Sequence, residues 1–321
     1  MKRYAVFAHY DSQQIVDDYV LYYLSELKTV VDEVVFVSDG SLSDREKEKL
    51  KQFTNIIISE RHGEYDFGSY KRGIKVLEKK LSEGDQLVLC NDSVFGPFIP
   101  FKQIFDDMSH CDADMWGIID SSIHDFLMSF FLVINSTAFL QDWFKEFFEN
   151  VKQEVNKSDV VTKYEMGLSK LIVSKGQKWQ SWFDTFELTK HKRSDLCSYL
   201  KEHNIPVKSF IPSKAKVNVY NDHNFYLQFM NFPFLKKLCF KDKSCFFPLY
   251  YKKVIKNYPC SLIERSVSRL YPSSTGRILT VLFYRYIKKI KKFVYQEKTT
   301  KSGTVLIKIC RIPLGRRKVN V

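Results

Sequence analysis

Short apolar runs that stop at clusters of polar residues, with stretches of helical spacing between them, constrain this chain more than any other feature. Tyr4–Ala8 ends in His9-Tyr10-Asp11-Ser12, Glu33–Val37 in Ser38-Asp39-Gly40-Ser41, and Gln86–Cys90 in Asn91-Asp92-Ser93. Between them, Ile15–Leu27 has helical spacing, Asp44–Lys51 is a charged helix with Ser43 as its cap, and a helix from about Ser69 to Leu81 follows the short strand Asn55–Ser59. This alternation predicts an α/β fold whose mostly parallel sheet is covered by helices. A parallel sheet brings strand ends to one edge, so the polar clusters are expected to share one pocket. Further strands are expected over Asp114–Ile119 and Phe130–Ile134, and helices over Ala138–Lys152 and Val161–Lys175.

A hydrophobic content of 45% places the chain of 321 residues among globular proteins. Its seven cysteines are scattered without a CxxC pair, which argues against a disulfide framework or a thiolate zinc site and suits a reducing cytoplasm. The opening MKRYAVFAHYDS has too short an apolar run for a signal peptide and reads as a first strand. Phe126–Leu140, interrupted by Ser129, Asn135 and Ser136, falls short of the roughly 20 residues that a membrane span needs.

Charge divides the chain. Of 50 Lys and Arg and 37 acids, 22 bases and only Asp242, Glu264 and Glu297 fall from Lys236 onwards, which is +19; the preceding 28 bases and 34 acids give −6. The break near Asn231–Lys236 suggests two parts, residues 1–230 carrying the site and a basic, mainly helical region over 231–321. In Arg277–Gln296 bulky apolar residues alternate with lysines and arginines as they would on a basic amphipathic helix, suited to an anionic membrane interface or to a solvated face of its own domain. Nothing resembles a nucleic-acid recognition module, so nucleic acid is not the expected partner.

The polar clusters carry the chemistry. Asp39, followed by Gly40 and Ser41, suits the base or ribose of a nucleotide, though Asp, Gly and Ser are also the residues expected of a simple strand-to-helix turn, which the motif alone favours. Asp92, placed after the apolar LVLC, suits a divalent cation that neutralises a diphosphate leaving group, or an Asx turn. Gly63, Asp66 and Gly68 would let the backbone approach a ligand, with Lys71 and Arg72 as cations for phosphate or as the solvated face of a helix. Trp116, Trp179, Trp182 and Phe183 are either core or a sugar-stacking surface.

Taken together, His9-Tyr10-Asp11, the GxxDFGSYKxG stretch over Gly63–Gly73 and LCNDSVFGPF over Leu89–Phe98 resemble the rhamnan synthesis protein F family, with the likeness running from Met1 to Asp242. Trp116-Gly117, Ser129-Phe130-Phe131, Tyr164-Glu165 and His223 ahead of Phe232-Pro233-Phe234-Leu235-Lys236-Lys237 agree in general form. The resemblance implies a GT-A-like glycosyltransferase, dTDP-L-rhamnose as nucleotide-sugar donor and a lipid-linked glycan acceptor at the inner face of the cell membrane. It implies donor binding through Asp11, Asp39, Gly63, Asp66, Lys71, Arg72, Asn91 and Ser93. Glu165, in KYEMGLSKLI, is the expected general base and Asp66 the second candidate; a glutamate that only favours a helix dipole is the plain alternative for Glu165. Where such enzymes usually offer two carboxylates, this chain has Asn91-Asp92-Ser93. A cation, Mg2+ or Mn2+, would then rest on Asp92 with help from His223, or lysine and arginine side chains would neutralise the diphosphate instead. His62 stands where the family often has asparagine. Two other classes fit the same edge: a non-catalytic subunit of a polysaccharide-assembly complex, and a nucleotidyltransferase.

Overall fold

The computed structural model describes residues 1–121, 125–183, 193–205, 219, 223–242, 245–271 and three strands within 295–318. In chain order the strands are β1 (Arg3–His9), β2 (Glu33–Ser38), β3 (Ile56–Ser59), β4 (Gln86–Asn91), β5 (Val94–Phe95), β6 (Met115–Ile119), β7 (Phe131–Asn135), β8 (Trp179–Phe183), β9 (Leu235–Lys236), β10 (Tyr295–Thr299), β11 (Thr304–Ile309) and β12 (Ile312–Lys318). The helices are α1 (Asp18–Leu27), α2 (Asp44–Leu50), α3 (Tyr65–Leu77), α4 (Phe101–Asp107), α5 (Ser136–Phe139), α6 (Asp142–Glu149), α7 (Lys157–Val160), α8 (Met166–Ser174), α9 (Arg193–Glu202), α10 (Asn224–Phe229), α11 (Leu238–Lys241), α12 (Phe247–Val254) and α13 (Cys260–Leu270).

The main sheet has the order β3-β2-β1-β4-β7-β6-β8. Strands β1 to β4 are mutually parallel, β7 runs against both its neighbours, and β6 and β8 are parallel to each other. The short return from β6 to β7 explains the reversal, since a parallel crossover needs a dozen or more residues. The α/β architecture expected from the sequence, a mostly parallel sheet covered by helices, is therefore the one observed. Register aligns the carboxyl ends: His9 lies beside Ser38 and Ala8 beside Asn91.

Side-chain alternation splits the core between the two sheet faces. Tyr4, Val6 and Ala8 of β1 face a cluster with Val35, Val37, Phe67, Tyr70 and Phe148. Ala5 and Phe7 face a second cluster with Phe36, Leu24, Phe234, Phe247 and Ile263. Gly73 lets α3 lie on β1, because an added Cβ would stand 2.7 Å from Val6 Cγ2 and closer still to Cγ1.

Several expected elements differ in extent. Helix α3 begins four residues before Ser69, at Tyr65, whose positive φ (56°) and that of Gly63 (70°) turn the chain into it. The expected helix Ala138–Lys152 is two helices, broken where Gln141 is extended. Trp179–Phe183, considered for its aromatic rings, is the edge strand β8, and Trp116 and Phe183 are buried in the core.

The expected boundary after residue 230 falls inside the core. Phe234 and Leu235 are fully buried, β9 pairs with β5, and Phe247, Tyr251, Ile263 and Val267 extend the cluster beneath β1. Most of the expected helix Arg277–Gln296 lies outside the described residues. Its last two positions, Tyr295 and Gln296, belong to β10 of a three-stranded antiparallel sheet with β11 and β12, so the described part of the region mixes helix and strand. No helix among the described residues is long and apolar enough to cross a membrane.

Candidate functional site

The carboxyl ends of β1, β2 and β4 bring together a chain of polar side chains. At its centre Asn91 closes β4 and donates from Nδ2 to Asp66 Oδ2 (2.9 Å) and to the Tyr70 hydroxyl (3.3 Å), both carried on α3. Its Oδ1 accepts from the Ser93 amide (3.0 Å) and Ser93 Oγ (2.6 Å), fixing the turn that follows. Tyr70 donates to the carbonyl of Ser129 (2.9 Å), and Ser129 donates from its amide and from Oγ to Glu165 Oε1 (2.7 and 2.8 Å). Asp66, Asn91, Tyr70, Ser129 and Glu165 thus form one network joining the end of β4, helix α3, the loop before β7 and the helical segment that ends at Glu165.

Glu165 ends a π-helical turn, Val161–Glu165, between α7 and α8. It lies in the middle of a helical run from Lys157 to Ser174 and not at its start. A role limited to the helix dipole loses its basis, because that effect fades beyond the first turn. A π turn widens the spacing locally and re-aims side chains; here Glu165 is half-buried and turned onto Ser129.

Burial pushes the Asp66 carboxyl up to about 6; Lys157 and Lys236 oppose the shift, while the negative charges of Asp92 and Glu165 add to it. Burial also lowers the buried His9, whose Nδ1 is 3.0 Å from Ser38 Oγ.

Two cations missing from the expected site reach it from β9. Gly96 permits the approach: an added Cβ at its φ of 132° would meet the Pro233 carbonyl oxygen at 2.5 Å. Lys236 Nζ donates to Ser93 Oγ (3.0 Å) and lies 4.2 Å from the centre of the Phe130 ring. Burial brings its ammonium down to about 8, against the raising influence of Glu165 and Asp66. Lys237 Nζ donates to Asp92 Oδ2 (2.9 Å) and to the Tyr19 hydroxyl (2.7 Å), and Tyr19 in turn donates to Asp92.

The charge opposite Asp92 is therefore an ammonium. Among the described residues no group of three or more His, Cys, Asp and Glu side chains is arranged to hold a metal ion, and His223 stands at the start of α10, where its carbonyl accepts from Tyr226 and Leu227. The donor set at Asp92 does not fit Mg2+ or Mn2+, which take several oxygen ligands.

Other expected donor residues serve the local fold. Asp39 Oδ1 accepts from the amides of His62 (2.8 Å) and Gly63 (3.0 Å), and so shapes the loop before α3. Asp11 is gripped by Arg269 of α13 through two bonds (3.1 and 2.6 Å), and the same guanidinium holds Asp17. Burial raises the Asp11 carboxyl, but the bonds from Arg269 and the Gln13 amide leave it below its usual range. Lys71 and Arg72 do not enter the network. Lys71 donates to the carbonyls of Glu149 and Val151, and Arg72 pairs with Glu60 and Glu64.

Tyr19, Tyr70, Ser129, Lys236, Lys237 and Arg269 went unassigned by sequence reasoning. Tyr70, Ser129, Lys236 and Lys237 lie in segments that carried the family resemblance, but no role was read for their side chains.

Comparison with known proteins adds the following. The chain is 26% identical over 147 residues to an uncharacterized protein y4gN of Sinorhizobium fredii (strain NBRC 101917 / NGR234); the match covers 43% of this chain and 37% of that protein's length. It is similar to the inositol-1-phosphate CTP transferase from T. maritima with a TM-score of 0.35 and 13% identity, covering 57% of this chain and 85% of that one. A galactosyltransferase, LgtC, in complex with donor and acceptor sugar analogs gives a TM-score of 0.29 and 12% identity, covering 73% and 98%. The pattern of the rhamnan synthesis protein F family matches residues 34–309, most of the chain, and the protein belongs to that family.

Proposed function

We propose that this protein is a glycosyltransferase that moves a sugar from a nucleotide-sugar donor to an acceptor hydroxyl, with rhamnose from dTDP-L-rhamnose as the donor sugar and a lipid-linked glycan as acceptor. The observation that carries this reading is the half-buried Glu165, oriented by two bonds from Ser129 beside the Asn91–Asp66 pair and two lysines, all at the carboxyl edge of a mostly parallel sheet. In the reaction the acceptor oxygen attacks the anomeric carbon as its proton passes to Glu165. The bond from that carbon to the diphosphate breaks, and its electron pair stays on the departing phosphate oxygen. One displacement of this kind inverts the anomeric centre. Ser129 keeps Glu165 aimed by donating to its Oε1 from both the amide and the hydroxyl. The net positive stretch from Lys236 onwards supports an anionic membrane surface at the cytoplasmic face as the meeting place with a lipid-linked acceptor.

The test is release of nucleoside diphosphate from a panel of nucleotide sugars, with membrane lipid extract as acceptor. Glu165→Gln is expected to lower kcat by about 100-fold to 10,000-fold, the usual contribution of a positioned base, while donor binding persists. The ion pair of Asp92 with Lys237 favours a second reading, a nucleotide-sugar-binding subunit without turnover. Donor binding with no release from any sugar of the panel decides for it.

A further inference from the structure

We infer that Lys236 and Lys237 form the diphosphate-binding site of this chain and take the place a divalent cation would hold. The inference rests on the transferase reading for its substrate, but the site it names is read from geometry.

Both lysines are delivered to the turn after β4 by main-chain pairing. Val94 is in register with Lys236 and Phe95 with Leu235, and the Lys237 amide donates to the Ser93 carbonyl at 3.1 Å. Their ammonium groups thereby flank Asn91-Asp92-Ser93, where a parallel sheet places the phosphates of a nucleotide. A buried ammonium is costly to keep unless something nearby uses its charge. Lys236 is buried to 9% exposure against Phe130, and its Nζ donates to Ser93 Oγ. The Lys237 side chain keeps 17% exposure beside an Asp92 that keeps 9%. An ammonium has three donors; Asp92 and Tyr19 take two on Lys237. The remaining N–H is directed to a phosphate oxygen when the donor is bound.

Asp92 then has a role that does not need a metal. It holds Lys237 in place, through the Tyr19 hydroxyl as well as directly, and balances its charge until phosphate arrives. As the bond from the anomeric carbon to the diphosphate breaks, negative charge grows on the leaving oxygen, and the lysine pair offers preformed positive charge at that point. Lysine binds phosphate as a compact point charge and needs no planar fork.

The experiment is calorimetric titration of the full chain with inorganic pyrophosphate and with dTDP in the presence of EDTA, repeated for Lys237→Met, Lys237→Arg and the double variant Asp92→Asn/Lys237→Met. Wild type is expected to bind both probes without metal. Lys237→Met is expected to weaken both by about tenfold to hundredfold, the span one charge-assisted hydrogen bond supports, with Lys237→Arg recovering part of the loss. The double variant removes the stranded carboxylate, so a fold disturbed only by an unpaired Asp92 is restored in it. If it still binds weakly, Lys237 touches phosphate. Binding at wild-type strength in the double variant reduces Lys237 to a counter-ion for Asp92 and overturns the assignment. So does wild-type binding that vanishes in EDTA and returns with Mg2+ or Mn2+. Binding of both probes through the lysines, without diphosphate release from any nucleotide sugar, upholds the site and rejects the transferase. Metal-dependent release does the reverse.

Discussion

Asp66 stores a measurable cost. Its carboxyl, pushed by burial up to about 6 from an ordinary 3.8, is less easily ionised in the folded chain than in the unfolded one. As the pH rises from 3.8 to 6, the unfolded chain releases the proton while the folded chain keeps it, so the unfolded state binds fewer protons and stability falls with rising pH. With 1.36 kcal/mol per pKa unit, the penalty is about 1.6 kcal/mol near pH 5 and about 3 kcal/mol near pH 8, where it has levelled off. Asp66→Asn removes the ionisation and keeps an oxygen that accepts from Asn91 Nδ2. The variant is expected to gain stability over wild type, with a margin about 1.4 kcal/mol larger near pH 8 than near pH 5. Urea unfolding of both proteins at the two pH values, followed by circular dichroism, measures that difference. A margin that is flat with pH, or a variant that loses stability as pH rises, refutes the reasoning, because it would mean that Asp66 ionises as readily folded as unfolded. A stabilised variant that also loses donor binding would show the cost to be tied to the site, as stability and activity commonly trade against each other.

The packing of α3 on β1 predicts that Gly73→Ala destabilises the fold by about 1–3 kcal/mol through overpacking, and that Val6→Ala in the same chain recovers more than simple addition allows; thermal unfolding of the two single variants and the double variant checks it. Arg269→Met leaves Asp11 and Asp17 facing each other without their shared guanidinium. A loss of about 2 kcal/mol is expected, together with faster amide exchange in α13 and around residues 11–17. Because Arg269 holds the Asp11 carboxyl low, its contribution in wild type is present at neutral pH and fades as acid protonates Asp11 below its ordinary range; the variant should lack that acid-sensitive portion.

Sequence patterning located the four parallel strands and their ends because each is a short apolar run, continuous where the strand is buried on both faces, with a polar stop within a few residues. Ser43 capped α2 as expected, its side chain accepting from the Glu46 amide. Legibility failed where distant segments decide the outcome. The glycines at 63 and 68 read as loop, whereas Gly68 lies inside α3 because His62 and Glu64 pack onto it; an added Cβ would stand 2.9 Å from His62 Nδ1. Lys71 and Arg72 suited phosphate by type and spacing, but helical geometry turned them to backbone carbonyls and neighbouring glutamates. Lys236 and Lys237 looked like the first residues of a basic tail. Their place beside Ser93 and Asp92 depends on β5–β9 pairing across some 140 positions, which no local pattern encodes. The Asn91–Asp66 contact was within reach, since both lie at ends that a parallel sheet brings together. Ser129 was not, because it enters from the antiparallel return before β7.

The grip of Arg269 on Asp11 spans 258 positions. At roughly 5–20 residues per second of synthesis, about 13–50 seconds separate the appearance of the acid from that of its partner. During that interval a growing chain can already pair β1 with β2, yet Asp11 and Asp17, beyond the carboxyl end of β1, lack the guanidinium they share in the finished molecule. The final turns of α13 thus act as a clasp that fastens only when nearly all of the described helical chain has been made, so a prematurely ended product leaves these two carboxylates unclasped, which distinguishes it from the finished molecule.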